Sequence, residues 1–218
     1  MKAVVFAGTR GIGGEISKKL REIADEVVAT GRKDVDTSNL DSVKAFCRKH
    51  PWADILVLNT GGPEPIPFDE ISEDQWRTAF HQLFLSFALA LQLIEVRNDG
   101  YVFLISSATV REPDPKLILS NCYRVALTSL CKTLSKLWMP RRVTFVNIAP
   151  GPTKTDRLRD LLRKSGRTLE QFEAGLPTGR AADPAEIGEF VRFVVEKRIT
   201  AINGATISFD MGLSSSLL

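Results

Sequence analysis

Six short segments rich in valine and isoleucine recur along this chain, and they constrain its fold more than any other feature. They read KAVVFA, EVVATG, ADILVLN, GYVFLISS, RVTFVNIA and ATISFD, and they alternate with stretches of helical periodicity. Strands apolar at nearly every position need cover on both faces, which implies a parallel sheet with helices packed on each side. In the first helical stretch Ile12, Ile16, Leu20 and Ile23 fall at spacings of four, four and three, one face toward that sheet. The expected class is α/β, a single doubly wound parallel sheet of about seven strands with helices on both faces. One crossover looks curtailed: Val28 to Ser38 reads VATGRKDVDTS, too short for the usual helix.

Composition limits what such a domain does. With 218 residues, 44% apolar and 25% charged, the chain fits one domain over 1–218 with a sizeable core. Its longest apolar run, LFLSFALALQLI from Leu83 to Ile94, falls short of the roughly 20 residues a membrane span needs. The N-terminal MKAVVFAGTR enters a strand at once with no signal-peptide core, so a cytoplasmic protein is expected. Cys47, Cys122 and Cys131 make an odd count without CxxC spacing, which supports neither a disulfide framework nor a metal site. A net charge of +3 gives no reason to expect nucleic acid.

The turn after the first strand is rich in glycine, VVFAGTRGIGGEI. Glycines there let backbone N–H groups approach a pyrophosphate at a helix N-terminus, so a Rossmann-like dinucleotide site is expected. Cofactor choice is legible at the end of the second strand. An acid there binds the ribose 2′-hydroxyl of NAD, whereas an arginine accepts the 2′-phosphate of NADP. This strand ends VVATGRK, with Arg32 and Lys33 in the acid's place and Arg10 in the turn nearby. NADPH is the expected cofactor and NAD the second candidate; the competing reading makes Arg32 and Lys33 solvated turn charges.

Taken together, these segments resemble the short-chain dehydrogenase/reductase family over nearly the whole chain. FAGTRGIG is similar to its TGxxxGIG turn, with Ala7 for the first glycine and Gly8, Thr9, Arg10, Gly11 and Ile12 following. VDTSNLDSV resembles the segment whose aspartate meets adenine, here Asp36, and LNTGG the family's NNAG, here Asn59, Thr60 and Gly61. FLISS carries the implied catalytic serine, Ser107. NIAPGPTKT, with Pro150, Gly151, Thr153 and Thr155, resembles the segment lining the nicotinamide side. The Pro-rich GGPEPIPF and NTGG also resemble the 3-oxoacyl-carrier-protein reductase subgroup.

The catalytic positions depart from the family. Its YxxxK lysine is usually followed by small residues as in KAAL, and RVAL aligns here, so Arg124 takes the lysine place and Ser120 the tyrosine place. The family tyrosine typically lies thirteen residues after its serine, which again gives Ser120. Leu83 falls where the family has a structural asparagine. Serine is a far weaker acid than a phenol, and arginine does not relay protons. The expected site has Arg124 binding cofactor beside a carbonyl oxygen, Ser107 hydrogen-bonding that carbonyl, and water supplying the proton. Tyr123 is either a displaced acid or, more simply, a residue packed against a neighbouring helix.

Two functions follow. One is an NADP(H)-dependent carbonyl/alcohol oxidoreductase with atypical catalytic residues; the other is a dinucleotide-binding sensor or structural subunit without chemistry. A polar insert at about 152–180 reads as a lid. Its Arg157, Arg159, Arg163, Lys164 and Arg167 either attract an anionic substrate or form a solvated helix face. The helices from Trp76 to Ile94 and Leu117 to Trp138 are apolar on more faces than one sheet covers, and the resemblance implies a homodimer or homotetramer.

Overall fold

A computed structural model describes residues 1–216. Each apolar run forms a strand: β1 (Lys2–Val5), β2 (Glu26–Ala29), β3 (Trp52–Leu58), β4 (Glu95–Ile105), β5 (Thr144–Pro150) and β6 (Ala205–Phe209). Every neighbouring pair is parallel, and the sheet order is β2-β1-β3-β4-β5-β6.

Alternation along the strands divides the core between the two sheet faces. Val4 and Phe6 point to one face, where they meet Phe46 of α2 (Leu40–Lys49), Phe87 of α4 (Ser86–Leu93) and Leu127 and Cys131 of α5 (Ile118–Leu137). Ala3 and Val5 point to the other, against Ile16 and Leu20 of α1 (Gly11–Leu20) and Ile187 and Val191 of α8 (Pro184–Glu196). Fully buried side chains such as Phe87 and Ile16 each contribute about 1.5–3 kcal/mol.

Among the described residues the sheet holds six strands where about seven were expected. Thr30 to Asn39 forms only turns before α2 starts, because so short a segment has no room for a crossover helix and a further strand. The missing helix read from the sequence is therefore missing together with a strand, and β2 becomes the sheet edge.

The helix expected over Trp76 to Ile94 is divided. A capping box of Ser72 and Gln75 starts α3 (Glu73–Phe80), one π turn spans His81–Leu85, and α4 continues. The polar insert contains two short helices, α6 (Asp156–Lys164) and α7 (Leu169–Ala174), capped by Thr155 and by a Thr168–Gln171 box. No helix among the described residues is long and apolar enough to cross a membrane.

Candidate active site

The sequence-predicted residues gather at the carboxyl ends of β1 to β5, the end at which open α/β sheets hold ligands. After β1 the backbone is left-handed at Ala7 (φ 46°) and Gly11 (φ 55°). The Ala7 N–H donates to Thr30 Oγ1 at 3.2 Å and its carbonyl accepts from Asn59 Nδ2 at 3.2 Å, so the ends of β2 and β3 pin the turn. At Gly13 a Cβ would lie 2.2 Å from the Ala7 carbonyl oxygen, which makes glycine obligatory there. Gly8 is buried, Thr9 and Arg10 are exposed, and Ile12 packs against the core. The N-terminus of α1 has no side-chain cap and no acid in its first turn, so its first N–H groups remain available to an anion. These residues fit a dinucleotide pyrophosphate.

Beyond β2, Arg32 and Lys33 are exposed. The Arg32 side chain is 84% accessible, and its Nε meets Asp36 Oδ2 at 3.4 Å. Asp36 Oδ1 accepts from the Ser38 N–H (2.9 Å) and hydroxyl (2.7 Å). That hydroxyl bond, more than Arg32, holds the carboxyl below the ordinary range against burial. The nearby acid Asp34 is engaged with the Gly31 N–H at 2.7 Å. Two exposed cations, Arg32 and Lys33, thus follow the end of β2, and both neighbouring acids are occupied in shaping the turn.

Following β3, Thr60 shares a 2.9 Å hydroxyl contact with Thr37, and the Gly61 carbonyl accepts from Gln82 Nε2 at 2.9 Å. Gln82 lies in the π turn. The structure brings Ser120 and Arg124 together on α5, with Arg124 Nε donating to Ser120 Oγ at 3.0 Å. Nη1 donates to the carbonyls of Ile105 (3.0 Å) and Ser106 (3.1 Å), just before Ser107, and Nη2 donates to Thr60 O at 3.2 Å. One guanidinium therefore ties α5 to the ends of β3 and β4. Burial, reinforced by the charge of Arg157, pushes its pKa down to about 10.

Those bonds use Nε, both Nη1 hydrogens and one on Nη2, so Arg124 keeps a single N–H for a ligand rather than a whole fork. Ser107 Oγ accepts from the Thr109 N–H (3.2 Å) and hydroxyl (3.1 Å), which leaves its own hydrogen to donate. Ser120 is likewise an acceptor toward Arg124 with its hydrogen unused. Tyr123 packs against Trp76 (6.0 Å, edge-on) and Phe80 (5.7 Å), and burial raises its phenol pKa. Leu83, at the family's asparagine place, is buried in the core.

The polar insert follows Pro150, the last residue of β5. Thr153 is buried and donates to the Gly151 carbonyl at 3.0 Å, while Thr155 caps α6. The methyl of Thr155 lies 3.5 Å from where a Gly11 Cβ would be, so the start of the polar insert lies against the glycine-rich turn. Of the basic insert, Arg159 and Arg163 pair with Asp156 and Asp160, Lys164 pairs with Glu64, and Arg167 lies over Phe172. Arg157 differs: its Nη2 donates to Pro63 O at 2.9 Å, and burial lowers its pKa.

Three residues here were not individually legible. Thr30 and Gln82 act through backbone partners remote in sequence. Arg157 was read only as one of five basic residues; its place two positions after Thr155, in the first turn of α6, was the available signal.

A family model described as enoyl-(acyl carrier protein) reductase matches residues 11–214. The chain is similar to the uncharacterized oxidoreductase YvaG of Bacillus subtilis (strain 168), with 27% identity over 99% of this chain and 96% of that protein. It is also similar to dehydrogenase/reductase SDR family member 4 of Sus scrofa, with 26% identity over 99% and 88% of the two chains. A solved small-chain dehydrogenase in complex with NADPH shares its fold, with a TM-score of 0.83, 24% identity and 97% of each chain covered. With its glycine-rich turn, its parallel sheet and a family match over most of its length, the chain belongs to the short-chain dehydrogenase/reductase family of oxidoreductases.

Proposed function

We propose that the protein is an NADP(H)-dependent carbonyl/alcohol oxidoreductase whose catalytic group is Ser107, Ser120 and Arg124 in place of the usual tyrosine and lysine. The observation that carries this reading is the Ser120–Arg124 hydrogen bond, made where Arg124 also grips the carbonyls of Ile105 and Ser106 beside Ser107. Arg10, Arg32 and Lys33 support NADPH over NADH, as does the fold relative solved in complex with NADPH. The Pro-rich loop and NTGG support placing it near the 3-oxoacyl-carrier-protein reductase subgroup.

When bound, the nicotinamide supplies or accepts the hydride. The Ser107 hydroxyl donates to the substrate carbonyl oxygen, and the Arg124 charge stabilises negative charge growing there. Such stabilisation in a partly dry site offsets the loss of a phenolic acid, with water delivering the proton. Tyr123 is a packing residue in this scheme, since its ring lies among apolar neighbours and its raised pKa makes it a poorer acid. In the same reading the protein pairs with copies of itself through α4 and α5, where Leu93, Val125 and Leu137 are exposed.

The test follows reduced-cofactor absorbance across a panel of aldehydes, ketones and oxo acids, with NADPH binding measured in parallel. Turnover with any of them, lost in Arg124→Ala, supports the reading. Tight NADPH binding without turnover anywhere on the panel supports the non-catalytic alternative.

A further inference from the structure

The surroundings of Gly62 contain more positive charge than the fold uses. Three polar groups converge on the space its missing side chain leaves open: a Cβ there would lie 3.4 Å from Arg157 Nη2, 3.6 Å from Arg124 Nη2 and 3.8 Å from Ser120 Oγ. Arg157 Nη1 approaches the same loop, 4.0 Å from where a Gly61 Cβ would be. Among the described residues no carboxylate forms an ion pair with either arginine. Glu64, the acid whose charge reaches Arg157, is itself paired with Lys164 at 3.2 Å.

Each group has a hydrogen to spare. Arg124 Nη2 gives one to Thr60 O and Arg157 Nη2 one to Pro63 O, which leaves one on each, while Ser120 accepts from Arg124 and keeps its own. Two partly dehydrated guanidiniums that repel one another beside a free hydroxyl form a receptor for an oxyanion. Burial depresses both arginine pKa values, so a bound anion would relieve a real penalty.

Next to this point lies a narrow crevice of about 10 Å³, lined by Pro63, Ile66, Ile71 and Leu117 together with the charged Glu64 and Lys116, with Ser120 at its margin. That is room for about one water, so the arginine pair and Ser120, not the crevice, define what binds here. We propose that Arg124, Arg157 and Ser120 bind the carboxylate of the substrate, and that the substrate class is small oxo acids and the corresponding hydroxy acids. This rests on the oxidoreductase reading above. The cofactor's pyrophosphate already has a place at the uncapped N-terminus of α1, so the Gly62 site is free for the second ligand.

Hexanoate serves as a probe that carries a carboxylate but no reacting carbonyl, and methyl hexanoate as its uncharged counterpart. Calorimetric titration of each into the full chain, with and without NADP⁺, is compared for wild type, Arg157→Gln and Gly62→Ala. In Gly62→Ala the new methyl would enter at ordinary contact distances, so the fold should hold, and circular dichroism checks it. Hexanoate should bind, the ester at least tenfold more weakly. Both variants should weaken hexanoate about tenfold or more, as expected for a charge-assisted bond, and leave NADP⁺ affinity within twofold. Failure of hexanoate to bind, equal binding of acid and ester, or affinity unchanged in both variants would overturn the proposal. So would competition between hexanoate and NADP⁺ with NADP⁺ weakened in Arg157→Gln, which would assign the site to a cofactor phosphate. Absence of NADP⁺ binding to wild type would sink the oxidoreductase reading alone, because hexanoate binding without cofactor still tests the anion site.

Discussion

Replacing Arg124 with methionine separates what this residue does for the fold from what it does for a ligand. Methionine fills similar space and donates nothing, so Ile105, Ser106 and Thr60 each lose a charged donor now at 3.0–3.2 Å. A hydrogen bond to a charged group contributes about 1.5–3 kcal/mol. Against that stands the cost of keeping the guanidinium charged where burial and Arg157 hold its pKa down to about 10, a penalty of roughly 3 kcal/mol. The bonds win, and the net loss should be about 2–5 kcal/mol. For a domain of this length each kcal/mol moves the melting temperature by about 2–4 °C, so Arg124→Met should melt roughly 4–20 °C lower. Thermal unfolding by circular dichroism, without cofactor, measures this. A variant melting within a degree of wild type, or above it, would refute the reasoning: the buried charge would then cost as much as its bonds return, as buried ionic groups sometimes do.

Arg32→Ala should weaken NADPH by about 1.5–3 kcal/mol and leave NADH nearly unchanged, since Arg32 is exposed with only Asp36 beside it; equal affinities of wild type for both cofactors in a fluorescence titration would sink the preference. Tyr123→Phe should leave turnover within a few-fold, and a loss of about 10²- to 10⁴-fold would instead identify the phenol as the acid. Asp210 gives a pH signature. Burial alone would raise its pKa, but the Ser214 hydroxyl and the N–H groups of Gly212 and Ser214 outweigh burial and hold it low. With the folded pKa below the unfolded one, its stabilisation is full above the ordinary carboxylate range and is lost as pH falls through the folded value. Asp210→Asn should therefore flatten the acid limb of a stability profile taken by urea unfolding at several pH values, and an unchanged limb would contradict this.

The architecture was legible because burial on both faces leaves an unbroken apolar signature, and every strand overlaps a segment so marked, though β4 begins five residues before its segment, at Glu95. The shortage of residues between Val28 and Ser38 was legible as a missing helix. That a strand is missing with it was not, since spacing limits how much chain is present without saying which element is given up. The glycine-rich turn announced itself through Gly11 and Gly13, whose backbone conformation and close approach demand that residue. Ser120 and Arg124 were placed by their four-residue spacing, which in a helix sets two side chains on one face. What Arg124 touches was hidden, because its partners are main-chain carbonyls that any residue supplies. The inward turn of Arg157 was hidden for a related reason: composition reads the insert as uniformly basic, while the Thr155 cap fixes the phase of α6 and turns one arginine toward Pro63.

Single-turnover reduction under NADPH puts the proposed chemistry to the test. Enzyme loaded with NADPH is mixed with a small oxo acid, and cofactor absorbance is followed for wild type, Ser107→Ala and Arg124→Ala, with NADPH affinity measured for each. Wild type should oxidise NADPH, Ser107→Ala should be slower by about a hundredfold or more at unchanged NADPH affinity, and Arg124→Ala should lose turnover. Wild-type rates matched by Ser107→Ala and Arg124→Ala would contradict the assignment of these residues to the reaction.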